Sequence, residues 1–295
     1  MSNKRRALIE VTIMYILIGV LGWVTYEVLD NEESLMRFLY ADLTMTLAAF
    51  IFSLLKRNSS VYDPYWSVIP FFFIVQWFVY FGGSDWQIYE WICAIAVSLW
   101  SWRLTLSWAR GFPGWHHEDW RYVNFRNQFG KFFQPINFLA IHLYPTLIVF
   151  LGMWPLFWVY DFGEIQYPIL FYIGAFIAFL GIWFEYKADN QLALFRKRKN
   201  KKKEDILNTG IWAYSRNPNY LGEILFWFGL LGMGLAFSSP WYTSLGSIGM
   251  LFMFLFASIP MKEKQMIKNR PEAFKKYKNE VSALIPSPLK MRTKR

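Results

Sequence analysis

Apolar residues run along this chain in long blocks, and the charged residues gather in the short stretches between them. Eight apolar segments are evident, at about 7–29, 38–55, 66–82, 86–109, 135–160, 166–186, 219–237 and 241–261. Most approach the ~20 residues that a helix needs to cross a bilayer. The pattern predicts an all-α, polytopic membrane bundle of seven to eight transmembrane helices. The first segment follows Lys4, Arg5 and Arg6, is too long for the core of a cleaved signal, and has no small-residue cleavage site after it. It reads as a retained helix. The weakest segment is 38–55, which is short and contains Asp42.

The connections alternate in charge. One set is basic: the N-terminus, Lys56-Arg57, the 103–131 and 187–216 regions, and the tail from Lys262. The other is short and acidic or neutral, with Asp30, Glu32 and Glu33, then Gly82 to Asp85, Asp161 and Glu164, and Ser238 to Pro240. All of the 31 Lys and Arg except Arg37 fall in the first set. The positive-inside rule puts that set, and both termini, in the cytoplasm. Eight crossings require the same placement of the termini. The expected location is the inner membrane of a bacterium. Trp and Tyr at segment ends (Trp86, Tyr89 and Trp91; Trp154, Trp158 and Tyr160; Trp241 and Tyr242) fit the interfacial belt.

Composition agrees. Of 295 residues 55% are hydrophobic and only 18% charged, with 16 Trp, 17 Tyr and 29 Phe. Soluble domains carry about 25% charged residues, so a soluble enzyme and a disordered chain are both excluded. The single cysteine, Cys93, allows no intrachain disulfide and no Cys-based metal site. His116, His117 and His142 leave little room for a histidine cluster, and no metal is expected. The net charge of +10 lies beside membrane segments rather than on one free face, which argues against nucleic acid and for anionic lipid.

A charge inside a membrane helix costs roughly 2.5–3.5 kcal/mol, so each one asks for a reason. Glu185 and Asp189 lie four apart on one helix face, with Arg196 seven further on. Asn217 is a natural N-cap with Pro218 in the first helical position, so the seventh segment starts there, with Asn219 and Glu223 on one face. Its free N–H groups, with Arg216 beside them, make an anion site. The stretch Arg103 to Arg126 reads as a loop whose arginines, Arg103 and Arg110 among them, suit bidentate phosphate contacts. Tyr62-Asp63-Pro64-Tyr65-Trp66 adds a carboxylate and phenols at the mouth of the third segment. All these groups face one compartment. A ligand there would have an anionic part held by arginines and a flat part reaching into the bundle.

These residues resemble the steroid 5α-reductase superfamily, and more closely the bacterial membrane proteins grouped with it as DUF1295. The resemblance spans about Asp63 to Pro286. It rests on Asp63-Pro64-Tyr65-Trp66, Arg103-Leu104 with Arg110-Gly111, Glu118-Asp119-Trp120-Arg121-Tyr122, and Ser215-Arg216-Asn217-Pro218-Asn219-Tyr220-Leu221-Gly222-Glu223. The ending Phe274, Tyr277 and Ala283-Leu284-Ile285-Pro286 adds to it. It implies one membrane domain, with an N-terminal hairpin over 1–60, a reductase-like core over 61–286 and a basic tail over 287–295. It further implies NADPH bound from the cytosol and reduction of an electron-poor C=C bond.

On the matching positions the cofactor site would comprise Arg103, Arg110, Glu185, Asp189, Arg196, Arg216, Asn219, Tyr220 and Glu223. The enone-polarising pair of a carboxylate and a tyrosine would come from Asp63 with Tyr62 or Tyr65, and Glu223 would act at the reacting centre. Glu185 replaces an Asn of the 5α-reductases. Lys262, Glu263, Lys264 and Met266 stand where a histidine is expected. The expected activity is therefore an NADPH-dependent ene-reductase acting on a steroid, polyprenoid or fatty enoyl compound. The alternatives are an S-adenosylmethionine-dependent membrane methyltransferase, which would leave the phosphate-binding arginines superfluous, and a non-enzymatic lipid-binding protein, which would leave Glu185, Asp189 and Glu223 unexplained.

Overall fold

The computed structural model describes residues 3–161, 163–200 and 202–286, and every apolar segment in it becomes a helix. The order is α1 (Asn3–Val28), α2 (Ser34–Lys56), α3 (Tyr65–Tyr80), α4 (Ile88–Gly111), α5 (Trp120–Phe129), α6 (Phe133–Ile136), α7 (Tyr144–Asp161), α8 (Pro168–Arg196), α9 (Pro218–Leu235), α10 (Leu245–Phe252), α11 (Ile259–Asn269) and α12 (Pro271–Glu280). No strand occurs among the described residues, only an isolated bridge between Ser215 and Ser282. The protein is all-α. The basic tail over 287–295 lies outside the described residues.

Six helical stretches are long and apolar enough to cross a membrane: Asn3–Val28, Ser34–Lys56, Ile88–Gly111, Trp120–Asp161, Pro168–Arg196 and Trp241–Asn269. They fit an integral membrane protein. The other two segments are helices as well, but α3 has 16 residues and α9 has 18. At 1.5 Å per residue α3 extends about 24 Å, short of a ~30 Å hydrocarbon core. In α9, Asn219 and Glu223 lower the hydropathy.

Two π turns give the long rods their continuity. Asn137–Leu143 joins α6 to α7, and Met253–Ser258 joins α10 to α11. The outer faces carry exposed Ile16, Leu17 and Val20 on α1 and Ile169, Ile173 and Phe176 on α8. Apolar faces of this extent suit lipid rather than water.

The stretch expected as a loop from Arg103 to Arg126 is instead mostly helical. Helix α4 continues to Gly111. Helix α5 begins at Trp120, because the Asp119 side chain caps it by accepting from Arg121 N at 2.9 Å.

The chain divides into two compact units, Met1–Gly163 and Glu164–Arg295. In the first, α1 packs on α2, α3 packs on α4, and α7 contacts α2, α3 and α4. An aromatic cluster of Phe38, Phe73, Trp77 and Phe157 fills its interior. In the second, α8 and α9 form a hairpin held backbone to backbone. A Cβ placed on Gly181 would lie 2.5 Å from Gly222 O, and one on Gly229 would lie 2.5 Å from Ala178 N. Small residues at such crossings let membrane helices approach closely. The hairpin fixes the buried carboxylates Glu185 and Glu223 on neighbouring helices.

Candidate functional site

Helix α8 runs on past its apolar part because no Gly or Pro interrupts it before Arg196. The chain then returns along its end. Gly210 takes φ +61°, with the Gln191 amide 2.4 Å from where a Cβ would stand, so only glycine turns there without strain. Ile211 N donates to Gln191 Oε1 at 3.1 Å, and the Trp212 indole donates to Ala188 O at 3.2 Å. Trp212, Ala188, Phe195 and Leu207 close a small apolar core beneath this return.

Asn217 and Pro218 start α9 as the sequence predicts, but the Asn217 side chain makes no cap bond. Its amide donates to Ala283 O at 2.8 Å, and its oxygen accepts from Lys262 Nζ at 2.8 Å. The Lys262 ammonium stands over two rings, 4.9 Å from the Trp212 centroid and 5.0 Å from that of Tyr220. It is within electrostatic reach of Arg196, Glu263, Asp189 and Arg216. Helix α12 is tied in by Tyr277, whose hydroxyl donates to Trp212 O at 2.5 Å. Burial pushes that phenol above its ordinary pKa, which keeps it a donor.

Arg216 requires a correction. It is 6% exposed and turned toward protein rather than toward a ligand. Nε and Nη2 donate to Glu263 Oε1 at 2.9 and 2.5 Å, while Nη1 donates to Lys278 O at 3.2 Å and to Val281 O. Lys278 Nζ lies 2.9 Å from the other Glu263 oxygen. The residue expected to bind an anion is a clamp joining the start of α9 to α11 and the end of α12.

These elements surround a cavity of about 230 Å³. Arg196, Lys262 and Arg270 give it positive charge, Asp205 and Glu263 are its acids, and Leu192, Phe195 and Ile206 supply apolar wall. Glu263 is already neutralised by Arg216 and Lys278. Binding pockets usually measure about 300–1,000 Å³, so this cavity suits part of a dinucleotide rather than all of it. One further feature fits such a ligand: Asn219 Oδ1, in the first turn of α9, is buried and accepts no hydrogen bond among the described residues. Buried polar atoms are normally satisfied, and an amide or ribose hydroxyl would satisfy this one.

Of the residues singled out by sequence, Glu185, Asp189, Arg196, Arg216, Asn219, Tyr220 and Glu223 lie in the second unit. Asp63, Tyr65, Arg103 and Arg110 lie in the first. Arg110 is exposed at the end of α4, where its carbonyl accepts from Lys4 Nζ at 2.8 Å. Asp63 accepts from Arg121 Nη2 at 3.0 Å and from the Tyr122 hydroxyl. Burial outweighs the pull of Arg121 and raises the Asp63 pKa above its ordinary value.

Tyr65 does not pair with Asp63. Its hydroxyl donates to Asp42 Oδ1 at 2.8 Å, with both residues 1% exposed. The carboxylate bonded to a tyrosine is thus Asp42, which the sequence shows only as a flaw in an apolar segment. The signal that finds it is the expense of an acid eight residues inside a membrane helix. Lys262, Arg270 and Asp205 are the other participants that no motif marks. Among the described residues no group of three or more His, Cys, Asp or Glu side chains is placed to hold a metal ion.

The family model described as "Protein of unknown function (DUF1295)" matches residues 49–281. An uncharacterized protein of Schizosaccharomyces pombe is 27% identical over 259 residues, which cover 79% of this chain and 74% of the relative. No solved structure matches the chain.

Proposed function

From a chain that belongs to the DUF1295 family, associated with steroid 5α-reductase-like proteins, we propose a membrane-embedded NADPH-dependent reductase. Its substrate would be a lipophilic compound with a C=C bond conjugated to a carbonyl. The observation that carries this reading is the cavity at the end of α8, where Arg196, Lys262 and Arg270 converge and Asn219 Oδ1 lacks a donor. Cations beside an unfilled buried acceptor suit a molecule that has both phosphates and an amide. S-adenosylmethionine carries a sulfonium and no phosphate, so it leaves the cations unexplained.

Bound NADPH would supply the hydride. The chain's own residues do the rest. Arg196, Lys262 and Arg270 hold phosphate through charge-assisted contacts. Asn219 and Glu223 orient the nicotinamide end, and Tyr220 contributes an aromatic wall beneath Lys262. In the first unit Tyr65, bonded to Asp42, is the donor for the substrate's carbonyl oxygen, where negative charge develops as hydride reaches the β-carbon. The α-carbon then takes one proton. The proposed topology has eight crossings with both termini cytoplasmic, which brings the cofactor from the cytosol.

The test is a titration of the detergent-purified protein with NADPH, NADH and S-adenosylmethionine, followed by thermal unfolding. A ligand at a hundred times its Kd stabilises the folded state by about 2.7 kcal/mol. NADPH should raise Tm the most. Stabilisation by S-adenosylmethionine alone would overturn the reductase in favour of the methyltransferase, and no shift with any of the three would remove the cofactor site.

A further inference from the structure

The first unit contains a second polar constellation, at the meeting of α2, the turn Ser59–Tyr62, the start of α3 and the π turn leading into α7. Thr146 Oγ1 lies 2.8 Å from the Tyr62 hydroxyl and 2.8 Å from Thr46 Oγ1. Thr46 donates to the Tyr65 hydroxyl at 2.9 Å, and Tyr65 donates to Asp42 at 2.8 Å. Either atom can donate in the two contacts of Thr146. Donation can therefore run in one direction, from Tyr62 through Thr146, Thr46 and Tyr65 to Asp42. All five side chains are buried.

His142 stands at the head of this chain, fully buried, its ring centroid 4.5 Å from that of Tyr62. Its Nδ1 lies 2.9 Å from the Asn137 carbonyl oxygen. A carbonyl only accepts, so in the neutral ring Nδ1 carries the hydrogen and Nε2 the lone pair. That Nε2 is buried and has no hydrogen-bond partner among the described residues. It is a base beside a hydroxyl chain that ends on a carboxylate. Packing accounts for none of this: two threonines, two tyrosines, a histidine and an aspartate inside apolar helices are costly, and joined hydroxyls with ionisable ends are what a proton pathway needs.

We propose that His142, Tyr62, Thr146, Thr46 and Tyr65 form a relay that delivers protons to Asp42. His142 Nε2 takes a proton and passes it to Tyr62, directly or through one water. Each hydroxyl then releases one hydrogen to the next oxygen and receives one in return. One O–H bond forms for each that breaks, and the net change is one proton on the Asp42 carboxylate, with no redox partner involved. The other ionisable groups acting on Tyr62 are Asp63 and Tyr15. Asp63 is held by Arg121 and Tyr122, and Tyr15 donates to Val61 O at 2.8 Å, so neither continues the chain. The use of the proton rests on the reductase reading, in which every hydride transferred requires one proton to complete the product.

Infrared spectroscopy of the whole protein in lipid nanodiscs tests the relay without any turnover. The protonated Asp42 carboxyl should give a C=O band that is absent in Asp42→Asn and shifts on transfer to D2O. Thr146→Val and Tyr62→Phe keep shape but break the chain, and each should slow that shift roughly tenfold or more, as one lost conducting link raises a barrier by about 1.4 kcal/mol or more. Ser67→Ala removes a hydroxyl bonded to Thr105 and Pro64, outside the chain, and should leave the rate unchanged. Should Thr146→Val not fold, Thr46→Val interrupts the same path. Unchanged exchange in the chain variants overturns the relay, as does the lack of an Asp42-dependent band at every pH where the protein stays folded. Chain-dependent exchange in a protein that binds no NADPH would end the reductase reading and keep the relay. NADPH binding with chain-independent exchange would do the reverse.

Discussion

Arg216→Ala separates a clamp from a ligand site. The Arg216 side chain is 6% exposed and that of Glu263 11%, so removing the guanidinium leaves a largely buried carboxylate. Breaking one partner out of a buried pair costs about 3–5 kcal/mol. Lys278 remains 2.9 Å from Glu263 but is half exposed, which places the expected loss near the lower end. The carbonyls of Lys278 and Val281 also lose a donor, at about 1–3 kcal/mol for each one that water fails to reach. A loss of about 3 kcal/mol lowers Tm by about 6–12 °C in a chain of this size. The assay is thermal unfolding in detergent, with NADPH affinity measured on the same preparation. Replacing Glu263 by Gln in the Arg216→Ala background removes the stranded charge and should recover part of the loss. An Arg216→Ala protein within about 1 kcal/mol of wild type, but with weakened cofactor affinity, would refute the clamp.

Arg196→Ala should do the opposite, leaving Tm almost unchanged and weakening NADPH roughly ten- to hundredfold, the equivalent of about 1.5–3 kcal/mol at a phosphate contact; unaltered affinity would remove Arg196 from the site. Glu223→Gln keeps shape without charge, so reductive turnover should fall sharply in a protein that folds and inserts normally; wild-type turnover with a lower Tm would make Glu223 structural. Gly181→Leu forces the α8 and α9 backbones apart, since even a Cβ would sit 2.5 Å from Gly222 O, and should abolish recovery of monodisperse protein. Full recovery would show that the hairpin gives way. Lys199→Cys should resist an impermeant thiol reagent in intact cells and react after lysis, and labelling without lysis would reverse the topology.

The helices were legible because long apolar runs admit few other outcomes in lipid. The N-terminus of α9 was legible too, since Asn217 followed by Pro218 is a local signal. What Asn217 binds was not, because Lys262 is 45 positions away. Arg216 failed for the same reason: its partners Glu263 and Val281 lie 47 and 65 positions on, and no local pattern tells a buried clamp from a free arginine. The extension of α5 into an expected loop followed from Asp119, a cap hidden among charges that suggested ligand binding. Asp42 was visible as an anomaly, yet its pairing with Tyr65 depends on how α2 meets the start of α3, which residue spacing leaves open.

The π turn at Asn137–Leu143 has a consequence for how this protein can change over generations. A π turn accommodates an additional residue within a helix, so its length is a count that a single codon can alter. Deleting Leu139, which is exposed, would let the turn relax to ordinary α-helix and rotate the remainder of the rod by about 100°, the angle per residue. His142 and Thr146 would turn with it, away from Tyr62 and Thr46, although no residue of the hydroxyl chain had itself been replaced. Descendants of this gene should therefore accept many substitutions in the turn while conserving its length, and a lineage that lost one codon there would have to abandon the polar interior of the first unit altogether.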